Sequence, residues 1–415
     1  MLSRRIFLKH GAFACVSLGF APSFLTRTAF ASGAAAKAKR LIAIFQRGAV
    51  DGLSVVVPFG EREYYRARPG IAVPAPRGGD DAAIDLDGFF GLNPRLAPLE
   101  PLWRARQLAI VHACGSPEST RSHFDAQDYM ETATPGVKRT SDGWLNRYLQ
   151  ARRDERATPF RAVAMTPQMP RALQGAASTV AVSDLEHFGI HTGRAGADAG
   201  ASFETAYAAA RDRVLNGTAH EAFDAIRMLQ ATDVARYQPA NGAEYPRGPF
   251  GQALRQIAQL AKADVGLEIA FAEIGGWDTH VNQGSVRGQL ANRLDEFARA
   301  IAALVADLGD RLEDTVVLTM SEFGRAVHEN GGGGTDHGHG NVMLAIGGGV
   351  RGGRVYGRWP GLAIEQRYEG RDLAVTTDFR DVSGEIVVRH MGVANPAPIF
   401  PGYAMSAARF PGLFA

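Results

Sequence analysis

Apolar residues gather in six short runs, at 41–45, 108–113, 162–165, 269–274, 315–320 and 342–346, each closed by Gly, Pro or polar residues. Runs of this length, rich in β-branched side chains and without alternation, predict strands buried on both faces. Between them the period changes. Leu290, Leu294, Phe297, Ile301, Leu304 and Leu308 recur in steps of four and three, so they line one face of a helix that Gly309 ends. Strands alternating with helices predict an α/β fold, a doubly wound three-layer sandwich with a mostly parallel central sheet. An Ala-rich helical stretch at about 183–241 leads into a loop containing Pro246 and Pro249, and reads as a helical insertion within one domain.

The first 31 residues break this pattern. Ser3-Arg4-Arg5-Ile6-Phe7-Leu8-Lys9 has the paired arginines of a twin-arginine signal peptide, and an apolar stretch from Gly11 to about Leu25 follows. Ala29-Phe30-Ala31 then offers a small-x-small cleavage site, predicting a mature domain of residues 32–415. The apolar stretch is shorter than the roughly 20 residues a span requires, and Pro22 and Ser23 interrupt it, so no stable membrane span is expected after cleavage. The expected partner is the twin-arginine export machinery and the expected location is periplasmic or secreted. That route carries folded proteins, commonly with a cofactor already inserted.

Composition narrows the partners. The net charge of +2 becomes −2 once Arg4, Arg5, Lys9 and Arg27 leave with the signal, which removes any basic footprint for nucleic acid. Of the two cysteines only Cys114 stays, so no intrachain disulfide is expected in the mature chain. Cys114 beside His112 is a candidate thiolate nucleophile or a buried apolar residue.

Residues with catalytic potential follow the ends of the expected strands, where ligands bind in open α/β sheets. Asp51 follows the first run, Arg121, Ser122, His123 and Asp125 the second, Asp278 and His280 the fourth, and Glu322 and Arg325 the fifth. A run of four glycines from Gly331 then delivers Asp336, His337 and His339. Carboxylates and imidazoles in this number suit a divalent ion: zinc, manganese, magnesium or calcium. Asp278-x-His280 and His337-x-His339 each place two ligand types on one side of an extended segment. The competing reading has the aspartates capping turns and the histidines bonded to backbone. Ser122, at the start of a helix, is a candidate nucleophile. Its spacing to Asp125 also fits an N-cap. Arg121 and Arg325 are candidate anion clamps or ordinary ion-pair partners.

The segments Gly48-Ala49-Val50-Asp51-Gly52, Arg121 through Gln127, Gly276 through His280, Ser321 through Arg325 and Asp336-His337-Gly338 resemble the bacterial family known as domain of unknown function 1501. Members of that family resemble sulfatases of the alkaline phosphatase superfamily, and the likeness covers nearly the whole mature chain. The resemblance implies an alkaline phosphatase-like fold in which Asp51, Ser122 and Glu322 form one half of a metal site and Asp278, His280 and His337 the other. It also implies a Ser122 nucleophile acting on phosphate or sulfate esters. Glu322-Phe323 stands where relatives carry Asp-His, and Asp278-x-His280 is tighter than the phosphatase spacing, so a single-metal site or one repurposed for binding is also open. Two functions follow: a metal-dependent hydrolase of small anionic esters, or a non-catalytic exported scaffold for a co-exported protein partner.

Overall fold

In the central strand Arg40–Gln46 every residue is buried, and the side chains divide by parity. Leu41, Ala43 and Phe45 join one apolar cluster, Ile42 and Ile44 another. That division is what a strand covered on both faces requires, because successive side chains point to opposite sides. The structure, a computed structural model, describes residues 14–16, 39–76, 79–154, 157–185 and 237–415.

Ten strands among these form the main sheet: β1 (Ala14–Val16), β2 (Arg40–Gln46), β3 (Leu108–Gly115), β4 (Ala162–Ala164), β5 (Val180–Val182), β6 (Ile269–Ile274), β7 (Thr315–Met320), β8 (Asn341–Gly347), β9 (Arg354–Tyr356) and β10 (Thr377–Asp378). Their order is β1-β5-β4-β6-β2-β7-β8-β3-β9, with β10 also paired to β3. Neighbours from β5 to β7 run parallel, and β9 and β10 run parallel to β3. Inside the sheet β8 is the exception, antiparallel to both β7 and β3. The expected α/β class with a mostly parallel sheet is therefore the observed one.

Five helices matter here: α1 (His123–Thr132), α2 (Trp144–Ala151), α3 (Pro249–Lys262), α4 (Gln289–Leu308) and α5 (Phe379–Glu385). α3 and α4 cover the face that holds Ile42 and Ile44, contributing Leu254, Ile257, Leu294, Ile301 and Leu304. α2 and α5 cover the other face with Leu145, Leu149 and Val382. The stripe expected on α4 is buried throughout, each such side chain contributing about 1.5–3 kcal/mol, and Gly309 ends the helix with φ of 51°.

All six apolar runs are strands, some longer by a residue or two. β5, β9 and β10 were not anticipated, since two or three residues carry too little pattern to read. Most of the expected insertion at 183–241 lies outside the described residues, as does the expected signal peptide apart from β1, which pairs antiparallel with β5 at the sheet edge. No described helix is long and apolar enough to cross a membrane.

Candidate metal centre

Strands β2, β3, β6 and β7 end at one edge of the sheet, and antiparallel β8 begins there. The loops after Gln46, Gly115, Ile274 and Met320 therefore meet the segment that enters β8. That segment is a hairpin, Arg325–Glu329 paired with Thr335–His337. Its glycine-rich turn folds onto the loop after β6: Asn282 and Gln283 donate backbone hydrogen bonds to the carbonyls of Gly332 and Gly333. A Cβ on Gly334 would stand 2.4 Å from the His280 carbonyl, so the glycine permits the approach.

Three imidazoles and one carboxylate converge at this junction. His337 Nε2 lies 3.0 Å from His123 Nε2 and 2.9 Å from His280 Nε2. Around Asp278, the Nε2 atoms of His280, His337 and His123 stand at 2.9, 3.2 and 3.4 Å from a carboxylate oxygen. Ligand atoms of His123, Asp278 and His337 all fall within 4.8 Å of one another. The cluster opens to solvent: the Asp278 side chain is 45 % exposed.

The other ring nitrogens explain the orientation. His123 Nδ1 donates to Glu322 Oε1 at 2.8 Å, His337 Nδ1 to the Arg121 carbonyl at 3.0 Å, and His280 Nδ1 faces Asp336 Oδ1 at 3.4 Å. Ionised carboxylates and carbonyls only accept, so Nδ1 of His123 and of His337 carries a proton; His280 has a carboxylate oxygen at either nitrogen, nearer at Nε2, and its Nε2 is a ligand in the tautomer that donates Nδ1–H to Asp336. Lone pairs 3 Å apart beside a carboxylate repel unless a proton or a cation lies between them. Donors held about 2.0–2.2 Å from a tetrahedral zinc stand about 3.3–3.6 Å apart, close to the separations here. A donor set of three imidazole nitrogens and one oxygen suits zinc and similar borderline metals better than calcium or magnesium. The residues thus fit a divalent ion, each imidazole backed as metal-ligating histidines are.

Electrostatics follow the same contacts. The Glu322 hydrogen bond raises the His123 pKa above its usual 6.5, outweighing burial. Burial, helped by the charges of His123 and Arg325, lowers that of His337. Desolvation would raise the Asp278 pKa, but the Arg325 bond at 2.7 Å and its charge bring it below the usual carboxylate range.

The remaining expected residues take other places. Glu322 is not aimed at the ion's position: its oxygens accept from His123, Gln127 Nε2 at 2.9 Å, the Gly48 amide at 2.8 Å and Ser321 Oγ at 3.0 Å. Asp336 stands behind His280 and accepts from Asn330 at 3.0 Å. Asp51 lies on the same sheet edge but is 1 % exposed, bound by Arg68 at 2.5 and 3.0 Å, Ser54 at 2.7 Å and Gln283 at 2.7 Å. It reaches the cluster only through Gln283, Thr335 and Arg325. His339 packs against the Tyr368 ring at 4.4 Å, and its pKa is lowered to about 4 by burial. The two-residue step fails there because the extended run ends at His337, and Gly338 is pressed against the Arg325 carbonyl.

Arg325 is buried against Asp278 and Thr335, and Arg121 pairs with Asp372 at 2.7 Å and Glu369 at 2.8 Å, so both expected clamps have protein partners. Ser122 is exposed and its Oγ accepts from the Asp125 amide at 3.5 Å as the N-cap of α1. Cys114 is buried and its pKa raised by desolvation, the apolar reading. His123 was assigned no ligand role from the sequence, although it follows β3 by the same strand-end rule that picked out Asp278. Arg68 carried no signal, being defined only by its partner.

Residues 106–380 match the family model described as Protein of unknown function (DUF1501). A search of curated proteins returns no match. Among solved structures, the chain is similar to the C-terminal periplasmic domain of EcEptC from Escherichia coli, crystallised in complex with zinc. The two share 10% identity over 75% of this chain and 74% of that one, with a TM-score of 0.37, too low to carry a site across.

Proposed function

We propose, since the chain belongs to the DUF1501 family, whose description states no activity, that His123, His280, His337 and Asp278 hold one divalent ion of the zinc class in an exported hydrolase. The observation that carries this is the convergence of three Nε2 atoms on one carboxylate, each ring with an oxygen at its Nδ1. A divalent ion there would neutralise negative charge developing on an ester and acidify a water. Glu322, Asp336 and the Arg121 carbonyl hold the imidazoles in one tautomer, and Arg325 orients Asp278 without meeting solvent. The substrate class in this reading is a small phosphate or sulfate ester, and the fold is alkaline phosphatase-like. Ser122 adjoins His123 on the surface, and acting as nucleophile would require its hydroxyl to leave the helix cap. Export rests on Arg4-Arg5.

One observation favours the second reading, a metal-bearing scaffold without catalysis. Arg121 and Arg325 are both engaged in ion pairs, which leaves neither free to clamp an anionic substrate. Elemental analysis of the purified protein, with nitrophenyl phosphate and sulfate as substrates, tests both. Near-stoichiometric metal that Asp278→Asn and His123→Ala each lose supports the centre; hydrolysis lost in the same variants supports the enzyme. Equal metal content in wild type and variants would overturn the reading. Retention of an Arg4/Arg5→Lys precursor in the cytoplasm tests the export route.

A further inference from the structure

The opposite edge of the sheet carries a second charged feature that the metal centre does not use. β9 lies beside the first residues of β3, with Arg354 opposite Ala109, whereas the metal centre follows the last residue of β3. The six steps of strand from Ala109 to Gly115 separate them by roughly 20 Å. Here Arg351, Arg354, Val355, Tyr356, Gly357, Pro411 and Gly412 line a cavity of about 350 Å³. A second cavity of the same size adjoins it and adds Arg106, so three exposed arginines line one depression. That is large enough for a small ligand.

Arginines without an ion pair occur elsewhere in the chain, but here three of them line one depression. Arg121, Arg68 and Arg161 each reach a carboxylate within 3 Å, but Arg106, Arg351 and Arg354 have no carboxylate within ion-pair distance among the described residues. Glu385, whose charge acts on Tyr356 alongside theirs, has its two oxygens bonded by the amides of Gly412 at 2.9 Å and Phe414 at 3.1 Å. The backbone holds the arrangement: Gly352 donates to the Arg106 carbonyl at 3.0 Å, Tyr356 donates to the Arg351 carbonyl at 2.5 Å, and the Arg354 guanidinium lies 5.4 Å from the Tyr356 ring centroid. Three like charges on one depression with no direct ion-pair partner repel one another, and an oxyanion with several negative oxygens relieves that repulsion.

We propose that this cavity binds a small phosphate-bearing anion through Arg106, Arg351 and Arg354, independently of the metal centre. The guanidinium fork matches phosphate oxygens two at a time, so pyrophosphate or a phosphate monoester fits better than a monoanion. The phosphate has two sources, a free ion or a lipid headgroup. Both are tested with the full chain after chelator treatment, which removes any contribution of the metal centre. Inorganic pyrophosphate is titrated calorimetrically into wild type, Arg351→Gln/Arg354→Gln and His337→Ala. The expected result is binding in wild type and His337→Ala that weakens at least about tenfold in the arginine variant. Arg351 and Arg354 are exposed, His337 is half-buried, and thermal unfolding of each variant checks its fold. Flotation with phosphatidylglycerol vesicles, lost in the arginine variant and competed by pyrophosphate, would assign the phosphate to a headgroup within the same proposal. Absence of binding to both probes in wild type, or unchanged binding in the arginine variant, would overturn it.

Discussion

Asp51 and Asp278 occupy comparable places, each in the loop after a parallel strand of one sheet edge, yet the fold treats them oppositely. Asp51 is sealed in, with both oxygens taken by a guanidinium, a hydroxyl and an amide. Asp278 has one guanidinium partner and faces three imidazole nitrogens near solvent. A carboxylate at a strand end is available to a metal only where the protein leaves its charge partly uncompensated. Burial with a private cation makes it a structural element instead.

The largest effect that separates the two belongs to the sealed pair. Arg68→Met should cost about 3–5 kcal/mol, measured by urea unfolding, because Asp51 would remain charged and buried without its partner. Burial would raise the Asp51 pKa, but Arg68's charge and hydrogen bonds hold it below the usual 3.8. A lowered folded pKa means stability that is present above 3.8 and lost as pH falls through the folded value. The unfolding midpoint of wild type should therefore drop below about pH 4, and that of Asp51→Asn should drop less. Loss of metal without loss of stability in either variant would make Asp51 a ligand and erase the contrast.

On the exposed side, Glu322→Gln should weaken metal binding about 10- to 100-fold, read by competition with a chelating dye, since His123 loses its charged acceptor. Asp51→Asn, assayed alongside, should stay close to wild type. Equal losses would mean that the two carboxylates serve the centre alike.

The glycine turn gives a smaller, local version of the comparison. Gly334→Ala presses a methyl on the His280 backbone and should cost about 1–3 kcal/mol, with faster hydrogen exchange in the 280–283 loop. Gly331 has nothing within 4 Å, so Gly331→Ala should fall within about 0.5 kcal/mol of wild type. The smallest effect is expected at Ser122→Ala, about 0.5 kcal/mol from a long capping bond, with metal content unchanged. If ester hydrolysis is found and this variant abolishes it while keeping its metal, the nucleophile is Ser122.

What the chain announces by itself is local and periodic. Unbroken apolar runs mark β2, β3, β6, β7 and β8, and steps of four and three mark α4, because burial on two faces or one leaves its period in the order of residues. The strand-end rule likewise pointed to Asp278 and His280, since the ends of parallel strands converge whatever the details of packing. Tertiary structure decided the rest. Arg68 claims Asp51 across 17 positions, Arg325 backs Asp278 across 47, and Glu322 turns His123 toward the cluster across 199. Nor does any local pattern say that β8 runs against its neighbours, which alone brings His337 to the edge where the parallel strands end. Which acid meets which base depends on where the folded backbone places them, and Coulomb and hydrogen-bond partners carry no period along the chain.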